Sequence, residues 1–204
     1  MDGISFVLSG KTLLIIIVIL AILCLILLAT TFKLLLLYKD AKKDSIIDPL
    51  TRLFNNREYE RERLEQEIEL AKRYSHDLQV VFIDLDNFKR VNDVCGHKKG
   101  DEILRIVAKG IRKIIRRYDI AVRHGGDEFV LIIPRASIEE TEALCRRIIK
   151  MIENVEISDS IKISASIGVR SFDSKNPDVD LIKSADYHMY LAKNNGKGKI
   201  SIHL

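Results

Sequence analysis

From Thr12 to Phe32 no side chain carries a charge, and nearly all are aliphatic. At 1.5 Å per residue such a run covers the roughly 30 Å hydrocarbon layer of a bilayer. The pattern therefore predicts a transmembrane helix, extended by Leu34 to Leu37 to occupy residues 12–37. A signal peptide has a shorter apolar core, about 7–15 residues, and a small-x-small cleavage pattern that is missing here. Residues 38–47 read as a charged connector, and Pro49 disfavours helix at Asp48. Leu53, Leu64, Ile68 and Ala71 recur at helical spacing among the charges that follow Arg57, predicting an amphipathic helix. Leu78 to Leu85 reads as a buried strand, followed by a short helix from Asp86. Gly96 and Gly100 interrupt the chain around His97, and Asp101 then opens a helix as its cap. That helix has Ile103, Leu104, Ile106, Val107, Ile111, Ile114 and Ile115 on its apolar side. Asp119 to Val122 and Phe129 to Ile133 are β-branched runs joined through Gly125-Gly126-Asp127-Glu128, which predicts a hairpin whose glycines supply positive φ. A helix from Ile138 to Ile152, a strand from Ile161 to Phe172, a helix from Val179 to Asn194 and a strand from Lys199 to His203 complete the chain. Helices alternating with strands around one hairpin indicate an α+β sheet with helices on its faces.

Charge narrows the setting. Lys39, Lys42 and Lys43 follow the apolar run, against Lys11 and Asp2 before it. The positive-inside bias then puts the body in the cytoplasm and residues 1–11 outside, a segment below the about 40 residues that an independent domain needs. The net charge of +4 is modest, and with no aromatic stacking platform it argues against nucleic acid as a partner. Cys24, Cys95 and Cys145 have no metal-ligand spacing, and no disulfide is expected.

The candidate chemistry sits at strand ends. Asp84 closes the strand from Leu78, while Asp127 and Glu128 lie in the hairpin. Carboxylates that converge from two strand ends repel one another unless a cation lies between them. Oxygen ligands suit magnesium, which commonly arrives with a phosphate substrate.

Six fragments in order resemble the GGDEF family of diguanylate cyclases: Asp48-Pro49-Leu50-Thr51-Arg52-Leu53-Phe54-Asn55; Asp84-Leu85-Asp86-Asn87-Phe88-Lys89-Arg90-Val91-Asn92-Asp93; Gly96-His97 with Gly100-Asp101-Glu102; Gly125-Gly126-Asp127-Glu128-Phe129; Ser166-Ile167-Gly168; and Ala185-Asp186 with Ala192-Lys193. The resemblance covers residues 48–204. It implies a palm-like, nucleotidyl-cyclase-type central sheet flanked by helices, which condenses two GTP into cyclic di-GMP and two pyrophosphates. It implies two Mg2+ ions, with Mn2+ as an alternative, held by Asp84, the Leu85 carbonyl, Asp127 and Glu128. Asp127 is then also the general base and Glu128 a further catalytic acid. Asn92 and Asp101 match the guanine readers, and His97, Phe88 and Lys89 line the same pocket. Gly125 and Gly126 let the backbone approach the triphosphate. Lys193 and Lys197, one helical turn apart, neutralise phosphates or complete the helix dipole. Arg116 and Asp119 match the inhibitory product site, with Arg147, in preference to Arg146, as a second cation from the same or a partner chain.

The chain departs from the family at Arg52 (glycine), Asn56 (arginine), Cys95 (aromatic), His124 (tyrosine) and Lys197 (arginine). A glycine at 52 would mark a positive φ, and a lysine at 197 keeps the charge without the bidentate fork. Two GTP and two reciprocal attacks imply a homodimer. The expected setting is a single-pass protein of the bacterial cytoplasmic membrane, its partners GTP, cyclic di-GMP and the membrane. A catalytically silent cyclic di-GMP receptor is the alternative.

Overall fold

The computed structural model describes residues 10–43, 46–55, 57–157 and 161–203. The expected extracytoplasmic segment, residues 1–11, lies almost wholly outside these, as does Asn56. The chain divides into two compact units, residues 1–44 and 45–204. The first contains one helix, α1 (Gly10–Lys43), which runs on past the expected boundary at residue 37. Its stretch Leu13–Leu36 has a mean hydropathy of 3.5 and no buried residue, which by length and composition suits a membrane span.

The second unit is a five-stranded sheet with helices on both faces. Its elements are α2 (Arg57–Tyr74), β1 (Leu78–Asp86), α3 (Phe88–Cys95), α4 (His97–Ile114), β2 (Ile120–Arg123), β3 (Glu128–Pro134), α5 (Ile138–Glu153), β4 (Ser164–Ser171), α6 (Leu181–Asn194) and β5 (Ile200–His203). The strand order is β2-β3-β1-β4-β5, antiparallel except for the parallel β4–β5 pair. β1 is central and buried along its whole length, which is why its middle, Val80 to Ile83, reads as an apolar run with no alternation.

Strand geometry divides the core in two. Val81, Ile83 and Leu85 join Phe129, Leu131 and Ile167 under α3, α4 and α5. Leu78, Val80 and Phe82 join Val130, Ile132 and Val122 under α2 and α6. The α6 backbone presses directly on Gly168, where a Cβ would stand 2.0 Å from the Ala185 carbonyl oxygen. The two-residue period carries the second face onward to Asp84 and Asp86, so both aspartates end the strand on the α2/α6 side.

Several boundaries differ from expectation. Asp101 does not cap α4; the helix starts at His97 behind Gly96, so Asp101 and Gly100 lie inside it. β4 begins at Ser164, and α6 at Leu181, capped by Asp180. Arg52 has φ 62°, the left-handed backbone for which its place in the motif suits glycine. All three cysteines are free, and burial pushes the Cys145 thiol up to about 12.

Candidate active site

β1 delivers Asp84 into the sheet's register opposite Glu128 on β3 and Ser166 on β4. The Leu85 N–H donates to the Asp127 carbonyl at 3.3 Å, tying the strand end to the hairpin. Asp84 is buried at 7 % exposure, and Lys193 Nζ lies 2.7 Å from its Oδ1. This contact is an ion pair by distance, while Oδ1 makes no hydrogen bond of good geometry. The Asp84 carboxyl is raised to about 6. Burial is the main cause; the Lys193 ammonium opposes it, and the charges of Asp127 and Glu128 add to it. A desolvated carboxylate beside two more acids, held by a single ammonium, is the donor set that a divalent cation suits. Among the described residues no three His, Cys, Asp or Glu side chains are already gathered as a ligand cluster. Glu128 accounts for part of this, since its Oε2 lies against Gly125, 2.5 Å from where a Cβ there would stand. A side chain at Gly125 would have to push the Glu128 carboxylate aside, and neither Gly125 nor Gly126 has the positive φ expected of the turn.

Asp86 is settled differently from its neighbour. Ser166 Oγ donates to its Oδ1 and the Gly198 N–H to its Oδ2, both at 2.9 Å. It binds the β4 end and the turn after α6 to β1, a role that the sequence reading did not assign. The i, i+2 spacing from Asp84 was the available signal.

Two cavities adjoin at the hairpin. The first, about 430 Å³, is lined by Asp84, Leu85, Asn87, Asp127, Lys193 and Lys197, among others. The second, about 330 Å³, is lined by Asn92, His97, Asp101, Leu104, Arg123 and Gly126. Phe88, Lys89 and Asp127 line both. One cavity thus collects acids and lysines, and the next collects the amide, carboxylate and imidazole expected to read a base. Gly125 borders neither. Asn92 owes its place to Gly100, where a Cβ would fall 2.0 Å from the Asn92 Oδ1. Lys197 is not on the helix with Lys193: α6 ends at Asn194, and Lys197 stands beyond it at φ 60°, between Gly196 and Gly198, which also have positive φ. It still reaches the first cavity, donating to Asn87 Oδ1 at 2.9 Å.

Arg123 was missed as a site residue. Its guanidinium donates to the Gly126 carbonyl from Nε at 3.2 Å and Nη2 at 2.7 Å, and to Asp48 Oδ2 from Nη1 at 3.1 Å. Asp48 is itself buried; burial raises its pKa, but bonds from Thr51 and the Arg123 charge outweigh this and hold it below the usual range. The Asp48-Pro49-Leu50-Thr51 fragment therefore braces the hairpin from behind. A cation two residues before the Gly125-Gly126 pair was the only local signal. His124 similarly rests on the buried Glu60 of α2, with Nδ1 2.9 Å from Oε2.

At the other end of β2 lies the turn from Arg116 to Asp119. The Arg116 N–H donates to Asp119 Oδ2 at 2.7 Å, while Asp119 Oδ1 is buried without a hydrogen-bond partner. Burial raises the Asp119 carboxyl despite that bond. The Arg116 guanidinium donates to Tyr118 Oη and Glu140 Oε1, each at 3.1 Å. Arg147 is exposed on α5, seven residues and hence about 10 Å along the axis from Glu140.

Comparison with known proteins places the fold in a family. Residues 45–199 match the family described as diguanylate cyclase, GGDEF domain. The chain is 34% identical over 167 residues to the Pseudomonas aeruginosa diguanylate cyclase DgcP, covering 80% of this chain and 25% of that protein. It is 35% identical over 172 residues to the Escherichia coli diguanylate cyclase DosC, covering 81% of this chain and 37% of that one. The chain therefore spans only a quarter to somewhat over a third of the length of these curated relatives. Among solved structures, the GGDEF domain of DgcB from Caulobacter crescentus, in complex with c-di-GMP, superposes with a TM-score of 0.71 at 25% identity, covering 78% of this chain and 96% of that one. With the family's sequence pattern and its palm-like sheet both present from residue 45 onward, this chain belongs to the GGDEF diguanylate cyclase family.

Proposed function

We propose that this chain is a membrane-anchored diguanylate cyclase that joins two GTP into cyclic di-GMP and releases two pyrophosphates. The observation that carries the reading is the shared wall of the two cavities. Asp84 and Asp127, from neighbouring strand ends, line one compartment, and Asp127 continues into the compartment of Asn92, His97 and Asp101. A guanine in the second places its triphosphate toward the first.

The Asp101 carboxylate accepts from guanine N1–H and the exocyclic N2–H, a donor pair adenine lacks, and Asn92 completes the edge. Lys193 and Lys197 neutralise the β- and γ-phosphates. Asp84, the Leu85 carbonyl, Asp127 and Glu128 are the oxygens that would hold two Mg2+ or Mn2+ ions. When bound, these ions supply Lewis-acid stabilisation of the attacking and leaving oxygens at the α-phosphate. Asp127 takes the proton from the ribose 3′-hydroxyl of the opposing GTP. Each body holds one GTP, so two bodies meet face to face as a two-fold dimer and exchange attacks. α1 spans the membrane and confines the bodies to a plane, raising their effective concentration. Arg116, Asp119 and Arg147 bind the product and inhibit.

The test is the full chain in detergent or nanodiscs with GTP and Mg2+, following pyrophosphate and cyclic di-GMP together. The reading expects one cyclic di-GMP per two pyrophosphates, with ATP inert. No pyrophosphate with retained cyclic di-GMP binding would identify a silent receptor instead.

A further inference from the structure

We propose that Lys193 is a resident counter-ion, occupying the cation position on Asp84 until metal and nucleotide arrive and then moving to the phosphates, so that the two ligands load as a coupled pair. The inference rests on the metal-dependent reading above and adds an order of events to it.

The two aspartates on this face of β1 show why a resident cation is needed. Asp86 is satisfied by neutral donors from Ser166 and Gly198. Asp84 has no comparable set; its Oδ1 meets only the Lys193 ammonium, at 2.7 Å. The Asp84 side chain is 9% exposed and faces Glu128 across the sheet, with Asp127 on the same cavity wall. A carboxylate so buried among like charges is costly to leave unpaired. Lys193 fills that need from the last turn of α6, and its own side chain is 32% exposed, leaving it room to move.

A divalent ion held by the Asp84 carboxylate, on either oxygen, would stand beside the Lys193 ammonium that now rests on Oδ1. Two cations on one buried carboxylate repel strongly, so the metal competes with Lys193. Metal alone must drive Lys193 into water. Metal carrying a triphosphate offers the displaced ammonium new anionic oxygens within the cavity that Lys193 and Lys197 already line. Nucleotide should therefore strengthen metal binding, and metal should strengthen nucleotide binding by the same factor. Lys197 differs, since its Nζ rests on the neutral Asn87 amide oxygen and competes with no metal.

The experiment titrates Mn2+ into the full chain in detergent, counting free Mn2+ by electron paramagnetic resonance, with and without a non-hydrolysable GTP analogue. For Lys193→Met, and for Lys193→Gln as a polar check, Mn2+ should bind about tenfold tighter without nucleotide, and the coupling factor should fall by a like amount, leaving the part due to direct contact between metal and phosphate. Lys197→Met should weaken analogue binding and leave Mn2+ affinity without nucleotide unchanged. If both Lys193 variants bind Mn2+ alone no more tightly than the unaltered chain, and only lose analogue affinity, Lys193 is a phosphate ligand and the exchange is wrong. If the unaltered chain binds no Mn2+ even with the analogue present, the metal-dependent cyclase reading falls too.

Discussion

At one end of β2, the turn from Arg116 to Asp119 sets a cation among acceptors of its own: Tyr118, Glu140 and, through the backbone, Asp119. At the other end, the hairpin brings Asp127 and Glu128 toward Asp84, where one lysine stands against three acids. The hydrogen bonds that the exposed Arg116 donates to Tyr118 and Glu140 hold it firmly charged. Burial does the opposite at Asp84, lifting its carboxyl to about 6. The Arg116 guanidinium is electrostatically satisfied, and a ligand must displace Tyr118 or Glu140 to reach it. The second region is under-compensated, and a cation entering it relieves repulsion. Binding regions that cost stability are common where function requires unpaired charge.

The sharpest way to break this contrast is Asp127→Ala, which removes the proposed base and a metal oxygen together. Cyclic di-GMP synthesis should fall by about a thousandfold or more, while binding of cyclic di-GMP at the distant turn should persist. Retained synthesis would remove Asp127 from the chemistry.

Asp84→Asn tests the cost of the under-compensated end. Because the folded pKa is raised from 3.8 to about 6, the folded state holds its proton more tightly than the unfolded chain does. The stability contributed by this group is therefore present below about pH 4 and is lost as pH rises through about 6. Above pH 6 the variant, free of that charge, should be more stable than the unaltered chain by about 2–3 kcal/mol in chelator. The gap should close toward pH 4, read as melting temperature against pH. A variant less stable at pH 8 than the unaltered chain would mean that the Lys193 pair outweighs burial.

Arg116→Ala should weaken cyclic di-GMP binding about tenfold to a hundredfold, the worth of a charged hydrogen-bonding partner, without lowering the initial rate of synthesis. Equal inhibition of the variant would move the product site elsewhere. The smallest effect is expected from Glu140→Gln. Releasing Arg116 from an exposed pair should tighten cyclic di-GMP binding about two- to fivefold. Weaker binding would make Glu140 a ligand contact.

Much of this contrast was legible before any coordinates. The apolar run from Val80 to Ile83 marked the strand that carries Asp84, and the β-branched runs around Gly125 and Gly126 marked the hairpin. The failures trace to long-range packing. Gly100 reads as a helix break, since glycine usually is one, yet it sits inside α4 because Asn92 needs the space. That error also turned Asp101 into a cap. Lys197 reads as one helical turn after Lys193, whereas three successive positive-φ residues, Gly196, Lys197 and Gly198, turn the chain after α6. Flanking glycines were the overlooked signal. The Arg123–Asp48 brace joins residues 75 apart in the chain, and nothing local in either segment specifies the other. Arg52 went the other way: its place in the motif pointed to positive φ, and it has φ 62°.

The central claim is that Asp84 and Asp127 grip a divalent cation beside a guanine nucleotide. Anomalous scattering from crystals of the chain grown with Mn2+ and a non-hydrolysable GTP analogue tests it directly. The account predicts manganese peaks bonded to the carboxylates of Asp84 and Asp127, guanine against Asn92 and Asp101, and Lys193 turned from Asp84 to phosphate oxygen. Manganese bound away from both aspartates, with Lys193 still on Asp84 and the nucleotide in place, would contradict it.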